Sequence, residues 1–214
     1  MEKSSGDVEI IKAIGDHIER HIGKIEVVFH EKVSSDIHVD VFLVSATPDR
    51  PYQSLITSGM SEKPMSVPKG WEDGKWAELM ICLPPSWPVN TQAFKDEKNY
   101  WPIRDLKSLA RYPHENNTWL YAGHSVLFSG SQALAAGTAF VGALVRYPNL
   151  LSTEALTIAA DGAKSIRLWG FTPLYREELD FKDRNGFARL EELLVEHRIT
   201  ELLDTNRKNV GRLQ

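Results

Sequence analysis

The apolar residues change period early in the chain, and this constrains the fold more than any motif does. Val8, Ile11, Ile14, Ile18 and Ile22 recur at spacings of three and four, which puts them on one face of a helix. The spacing predicts a helix over 8–22, with Asp7 able to cap its start and Gly23 to end it. From Ile25 the period drops to two. Ile25, Val27 and Phe29 alternate with Glu26 and other residues. Ile37, Val39, Val41 and Leu43 alternate with His38, Asp40, Phe42 and Val44. Both runs read as strands, joined by a hairpin loop at Lys32–Asp36. Ile25, Val27, Phe29, Val39, Val41 and Leu43 are expected to face one shared core against the helix over 8–22.

Further strands are expected at Tyr52–Thr57, Trp76–Leu83, Trp119–Phe128, Phe140–Val145, Leu156–Ala160 and Ser165–Phe171. Pro84 and Pro85 stop the second of these. Helices are expected at Tyr100–Tyr112, Glu177–Asp180 and Phe187–Arg198. In the first, Trp101, Ile103, Leu106, Leu109 and Ala110 face inward, Pro102 sits in the first turn, and Pro113 ends the helix. Gly59–Gly74 reads as a loop in which Met60, Met65, Val67 and Trp71 need burial, and Ser129–Gly137 as a small polar loop. No repeat or linker divides the chain, and the strict strand–helix rhythm of a parallel doubly wound sheet is missing. The expectation is one α+β domain over 1–214, a mostly antiparallel mixed β-sheet covered by helices, with its core at about 25–203.

Composition narrows the function. The chain has 214 residues, 42% of them hydrophobic and 25% charged, which describes an ordinary globular protein. One cysteine, Cys82, sits in the apolar run Leu79–Leu83 and reads as a buried thiol, with no disulfide framework. Met1–Asp7 is polar with no apolar segment behind it, which argues against an export signal. Ala133–Val145 falls short of the roughly 20 residues of a membrane span. These features predict a cytoplasmic location without membrane contact. The formal net charge of −4 argues against general nucleic-acid binding.

Catalytic motifs are missing: there is no G-x-S-x-G, P-loop, H-E-x-x-H or paired C-x-x-C string. Three histidine arrangements remain. His17 and His21, four apart on a helix, could chelate a metal or simply line a solvated helix face. His38 and Asp40, two apart, project from one side of a strand, as metal sites and acid–base pairs do, and as a polar patch does. His124 follows Gly123 and suits a structural or binding role better than catalysis. Trp87, beside a proline-rich loop, could anchor a partner.

The middle and later strings resemble the suppressor of fused family. Ala77-Glu78-Leu79-Met80 with Leu83-Pro84 and Trp87 carries the likeness. Tyr100-Trp101-Pro102, Leu109-Ala110-Arg111-Tyr112, Asn117-Thr118-Trp119 and Gly123-His124 follow in order. His38-Val39-Asp40-Val41, Gly59-Met60-Ser61 and Pro173 to Leu179 complete the set. The resemblance implies the fold of the N-terminal domain of the animal member and a binding module, not an enzyme. The animal member is a regulator that clamps an extended peptide between two domains, and its second domain has no counterpart here. A tyrosine of its peptide site falls on Tyr112. An aspartate of that site falls where this chain has His124, which replaces a fixed anion by a titratable donor.

Stand-alone bacterial members resemble immunity proteins of polymorphic toxin systems. The resemblance therefore implies a cytoplasmic antitoxin that occludes a cognate secreted toxin, a nuclease, stoichiometrically. The other reading is a peptide- or transcription-regulator-binding adaptor, and a third is a metal enzyme using His38, Asp40 and His124. Partner contact is expected at Tyr112, His124, Trp87, His38 and Asp40, with no cofactor or metal. Met1–Tyr100 carries 16 Asp/Glu against 11 Lys/Arg, and the remainder 13 against 14. The N-terminal half would thus steer a basic toxin face.

Overall fold

A computed structural model of the chain describes residues 5–31, 37–128, 133–160 and 164–213. Helix α1 (Ser5–His21) precedes four strands joined as an antiparallel meander: β1 (Ile25–Phe29), β2 (Asp40–Val44), β3 (Gln53–Ser58) and β4 (Ala77–Leu83). Helix α2 (Glu97–Glu115) follows, then β5 (Ser125–Leu127), β6 (Phe140–Arg146), β7 (Thr157–Ala159) and β8 (Ser165–Tyr175). Helices α3 (Arg176–Asn185) and α4 (Phe187–Glu196) come last. The sheet runs β1-β2-β3-β4-β8-β6-β5, with β7 paired to the first residues of β8. Its strands pair antiparallel except β4 with β8, which run parallel from Ala77–Arg167 to Met80–Gly170. The α+β class and the mostly antiparallel sheet are as the sequence predicts.

Successive residues of a strand point to opposite faces. In β8, Trp169 and Phe171 face one core together with Val41, Leu43, Leu79 and the inner side of α2. Leu168 and Leu174 face the opposite way. There Leu168 meets α1 through Ile14, Ile18 and Ile22, and Leu174 meets α3 and α4 through Leu179, Leu190 and Leu194. The sheet therefore lies between α2 on one face and α1 beside α3–α4 on the other.

This arrangement corrects one expectation. Val39, Val41 and Leu43 do share a core, but α2 covers it, while α1 packs on Phe42, Val44, Ile56 and Met80. Both faces of β2 are apolar, so alternation alone cannot say which face meets which helix. The register of β1 also shifts between Ile25 and Val27, so Ile25 packs with the α1 cluster while Phe29 stays with the α2-covered core, and Val27, opposite Leu43 on this end strand, is 38% exposed.

Element ends differ from the sequence reading for local reasons. α1 starts at Ser5, so Asp7 lies inside it rather than at its cap. α2 starts at Glu97 under Asp96, whose carboxylate accepts from Lys98 N at 3.1 Å, so Pro102 falls in the second turn. Nor does Pro113 end α2. It removes one backbone donor, and the buried face carries the helix on to Glu115. The run Trp119–Phe128 is a strand only over Ser125–Leu127, because Gly123 takes φ +93° and turns the backbone. In the loop Gly59–Gly74, Met60 and Met65 are buried as expected, whereas Trp71 is 46% exposed. The loop Lys32–Asp36 and residues 129–132 of the loop Ser129–Gly137 lie outside the described residues.

Candidate functional site

Asp40 opens β2 as a buried carboxylate with three donors. His30 Nδ1 donates to its Oδ2 at 2.9 Å; His38 Nε2 and Glu31 N donate to its Oδ1 at 2.8 and 2.9 Å. Glu31 in turn accepts from Val39 N at 3.0 Å and pairs with Arg111 of α2. Lys107, one turn earlier on α2, donates to Phe29 O at 3.3 Å. Burial lowers the Lys107 pKa, and the charge of Asp40 opposes that shift. The sequence pairs His38 with Asp40, and the structure brings them into contact. His30 was missed because it reaches Asp40 across the hairpin, a distance that spacing along one strand does not report. This cluster ties the β1–β2 hairpin to α2.

His38 and Asp40 cannot share an ion with His124. β2 and β5 are five strand spacings apart in the sheet order, about 24 Å at roughly 4.8 Å each. The histidine pair of α1 is also engaged otherwise: His17 is buried, donates from Nε2 to Ala155 O at 3.1 Å, and stacks on His21 at 4.5 Å. Among the described residues no three His, Cys, Asp or Glu side chains converge as metal ligands. Cys82 is buried against Ser54 Oγ at 3.6 Å, and burial pushes its thiol up to about 12.

His124 begins the pairing of β5 with β6. Its carbonyl accepts from Val145 N at 2.8 Å, its Nδ1 donates to Trp119 O at 3.3 Å, and its ring meets Trp119 edge to face. Burial lowers its pKa, and the charge of Lys182 on α3 adds to the effect. Tyr112 sits half-buried on α2 against the main core and is not among these partners of His124.

Trp119 belongs to an aromatic terrace that sequence reasoning did not assemble. Trp71 lies 5.2 Å from Trp119 and 5.0 Å from Tyr121, centroid to centroid. Tyr121 and Tyr147 each lie 5.0 Å from Trp169. Trp169 is buried at the base, and Trp71 and Tyr147, the latter 50% exposed, bring the terrace to the surface. The only signal in the sequence is the density of aromatics, which lie far apart along the chain.

Beside the terrace, β5 is an end strand of the sheet. The bonds Val145 N to His124 O and Phe128 N to Val141 O fix alternate residues on the β6 side. Ser125 and Leu127 therefore turn their N–H and C=O outward, and the Leu127 side chain is 43% exposed. Trp87 stands elsewhere, beyond the end of β4, with its indole N–H donating to Asn99 O at 3.1 Å.

A family model described as Suppressor of fused protein (SUFU) matches residues 35–208. The crystal structure of a suppressor of fused homolog from Neisseria gonorrhoeae FA 1090 superposes with a TM-score of 0.68 at 18% identity, over 95% of this chain and 97% of that one. The Sufu–Fu complex gives 0.66 at 15% identity, over 96% and 93%. Drosophila Suppressor of Fused gives 0.63 at 14% identity over 97% of this chain, which spans 52% of that protein. Identities this low establish the common fold. Among curated proteins, none matches the chain.

Proposed function

Because the chain belongs to the suppressor of fused family, we propose that it is a cytoplasmic immunity protein that binds a secreted nuclease toxin one to one and blocks it by occlusion. The observation that carries this reading is the open edge of β5. Backbone groups at Ser125 and Leu127 that turn away from β6, with no strand beside them among the described residues, and the exposed apolar surface next to them form a template for strand addition, a common mode of protein recognition. The adjoining terrace supplies Trp71 and Tyr147, residue types enriched among interface anchors. The Sufu–Fu complex shares the fold, and there the fold holds a protein partner. The acidic balance of Met1–Tyr100 suits a basic toxin face. No helix among the described residues is long and apolar enough to cross a membrane.

The test is capture of the partner from the native host, followed by reconstitution with the purified components. The immunity reading expects a one-to-one complex and restored growth of cells making the toxin. A captured partner whose expression harms no cell favours the second reading, an adaptor for a peptide or transcription regulator, which the same open edge and the Sufu–Fu complex support.

A further inference from the structure

The parallel pair β4–β8 separates after Met80 and Gly170. Beyond that point β8 runs on beside β6, and residues 201–203 take its place beside β4, through Cys82 N to Glu201 O at 2.9 Å and Leu203 N to Cys82 O at 2.8 Å. A cavity of about 590 Å³ opens past the carboxyl end of β4, between the loop after β4 and the segment after α4. A cavity of this volume is of the size that holds a small ligand.

The walls are fixed from behind. Gln53, itself buried, donates from Nε2 to Trp87 O at 2.8 Å and to Pro84 O at 3.1 Å. The Trp87 indole N–H is tied to Asn99 O. On the facing side the buried Arg146 donates to Ile199 O at 2.8 Å. Trp87, held in this way and half-buried, is part of the lining.

Opposite Trp87, Arg198 follows the end of α4 with φ +54°. The bonds Ile199 N to Leu194 O and Arg198 N to Val195 O make this the C-terminal turn in which glycine is the usual residue. An L side chain resists that backbone conformation, and here it carries an exposed guanidinium to the cavity. His197 also lines the cavity, with its Nδ1 donating to Leu193 O at 3.1 Å. Arg207 also lines the cavity, but its charge is matched by Glu178 at 2.6 Å. The one carboxylate in the lining, Asp204, accepts from Asn206 N at 2.9 Å within its own turn.

We propose that this cavity binds a small molecule with a flat ring and one acidic group, the ring against Trp87 and the acid at Arg198. The proposal is independent of the protein partner. Titration calorimetry on the full chain compares AMP with adenosine, and indole-3-acetate with tryptamine, so that phosphate and carboxylate are read apart. The expected result is saturable binding of at least one acidic probe, about tenfold or more tighter than its non-acidic counterpart. Arg198→Gly loses that binding and melts at the same temperature or higher, because glycine relieves the backbone. Absence of saturable binding of every probe at millimolar concentration overturns the proposal, as does equal affinity in Arg198→Gly.

Discussion

The imidazole of His124 meets the indole of Trp119 edge to face, with ring centroids 4.8 Å apart and planes at 84°. The contact puts a titratable ring under an aromatic one, and burial lowers the His124 pKa from its ordinary 6.5. His17 is lowered in the same direction, again mainly by burial. Both rings stay neutral in the folded chain at pH values where the unfolded chain already binds protons. Their contribution to stability is complete above 6.5 and is lost progressively as pH falls below it. The melting temperature should therefore drop between about pH 7.5 and 5, and less steeply in His124→Gln and His17→Gln than in the parent. An identical slope in both variants, measured by circular dichroism, would remove these histidines from the account.

Glu78 is fully buried in β4 and gathers the loop after β3 around its carboxylate. Thr57 Oγ1 and Ser61 Oγ donate at 2.6 Å, and Gly59 N and Ser61 N at 3.0 Å. Glu78→Ala leaves these donors without an acceptor in a dry site, which should cost about 3 kcal/mol or more. For a chain of this length that is roughly 6–12 °C in melting temperature. Glu78→Gln keeps one acceptor oxygen and should fall between the two. Thermal denaturation of the three proteins ranks them, and an unchanged Glu78→Ala would contradict the buried network.

The strands were legible because their apolar and β-branched residues alternate with a period of two, and α1 and α2 because theirs recur at three and four. What the pattern could not carry was partnership. β4 and β8 are apolar on both faces, so nothing in either run says that they pair with each other in parallel. His38 and Asp40 were readable as a pair from their spacing along one strand, whereas His30 joins them through a tertiary contact. Trp71 misled in the opposite sense. A tryptophan among Met, Pro and Val residues reads as core, yet its burial is limited by the surface it reaches through Trp119 and Tyr121.

Two valines on adjacent strands, β1 at the end of the strand order and β2 inside it, differ in burial. Val41 is fully buried under α2, while Val27, opposite Leu43, is 38% exposed. Val41→Asp should destabilise by about 4 kcal/mol or more, since an unpaired charge would enter the core. Val27→Asp should cost less than about 1 kcal/mol. Chemical denaturation separates the two, and equal losses would contradict the surface position of Val27.

Tyr112 and His124 remain proposed contacts for the partner, one on α2 and one at the start of β5. If both touch it, Tyr112→Ala with His124→Ala should weaken the complex by about 2 kcal/mol, the loss typical of interface anchors. His124 also packs on Trp119, so binding is to be measured by calorimetry well below the variant's melting transition. A folded double variant that binds at full strength would exclude both residues from the interface.

The edge of β5 allows a sharper test, because alternate residues there face different neighbours. Leu127 directs its N–H away from β6, whereas Val126 sits opposite Ala143 on the bonded side. Proline at 127 removes a donor that no strand among the described residues uses, and proline at 126 removes a ladder bond. Leu127→Pro should thus melt close to the parent while losing about 2 kcal/mol of partner affinity, roughly 30-fold. Val126→Pro should melt markedly lower, with any loss of binding following from that. A partner that binds Leu127→Pro as tightly as the parent does not add a strand at this edge, and the terrace around Trp71 and Tyr147 would then have to carry the contact alone.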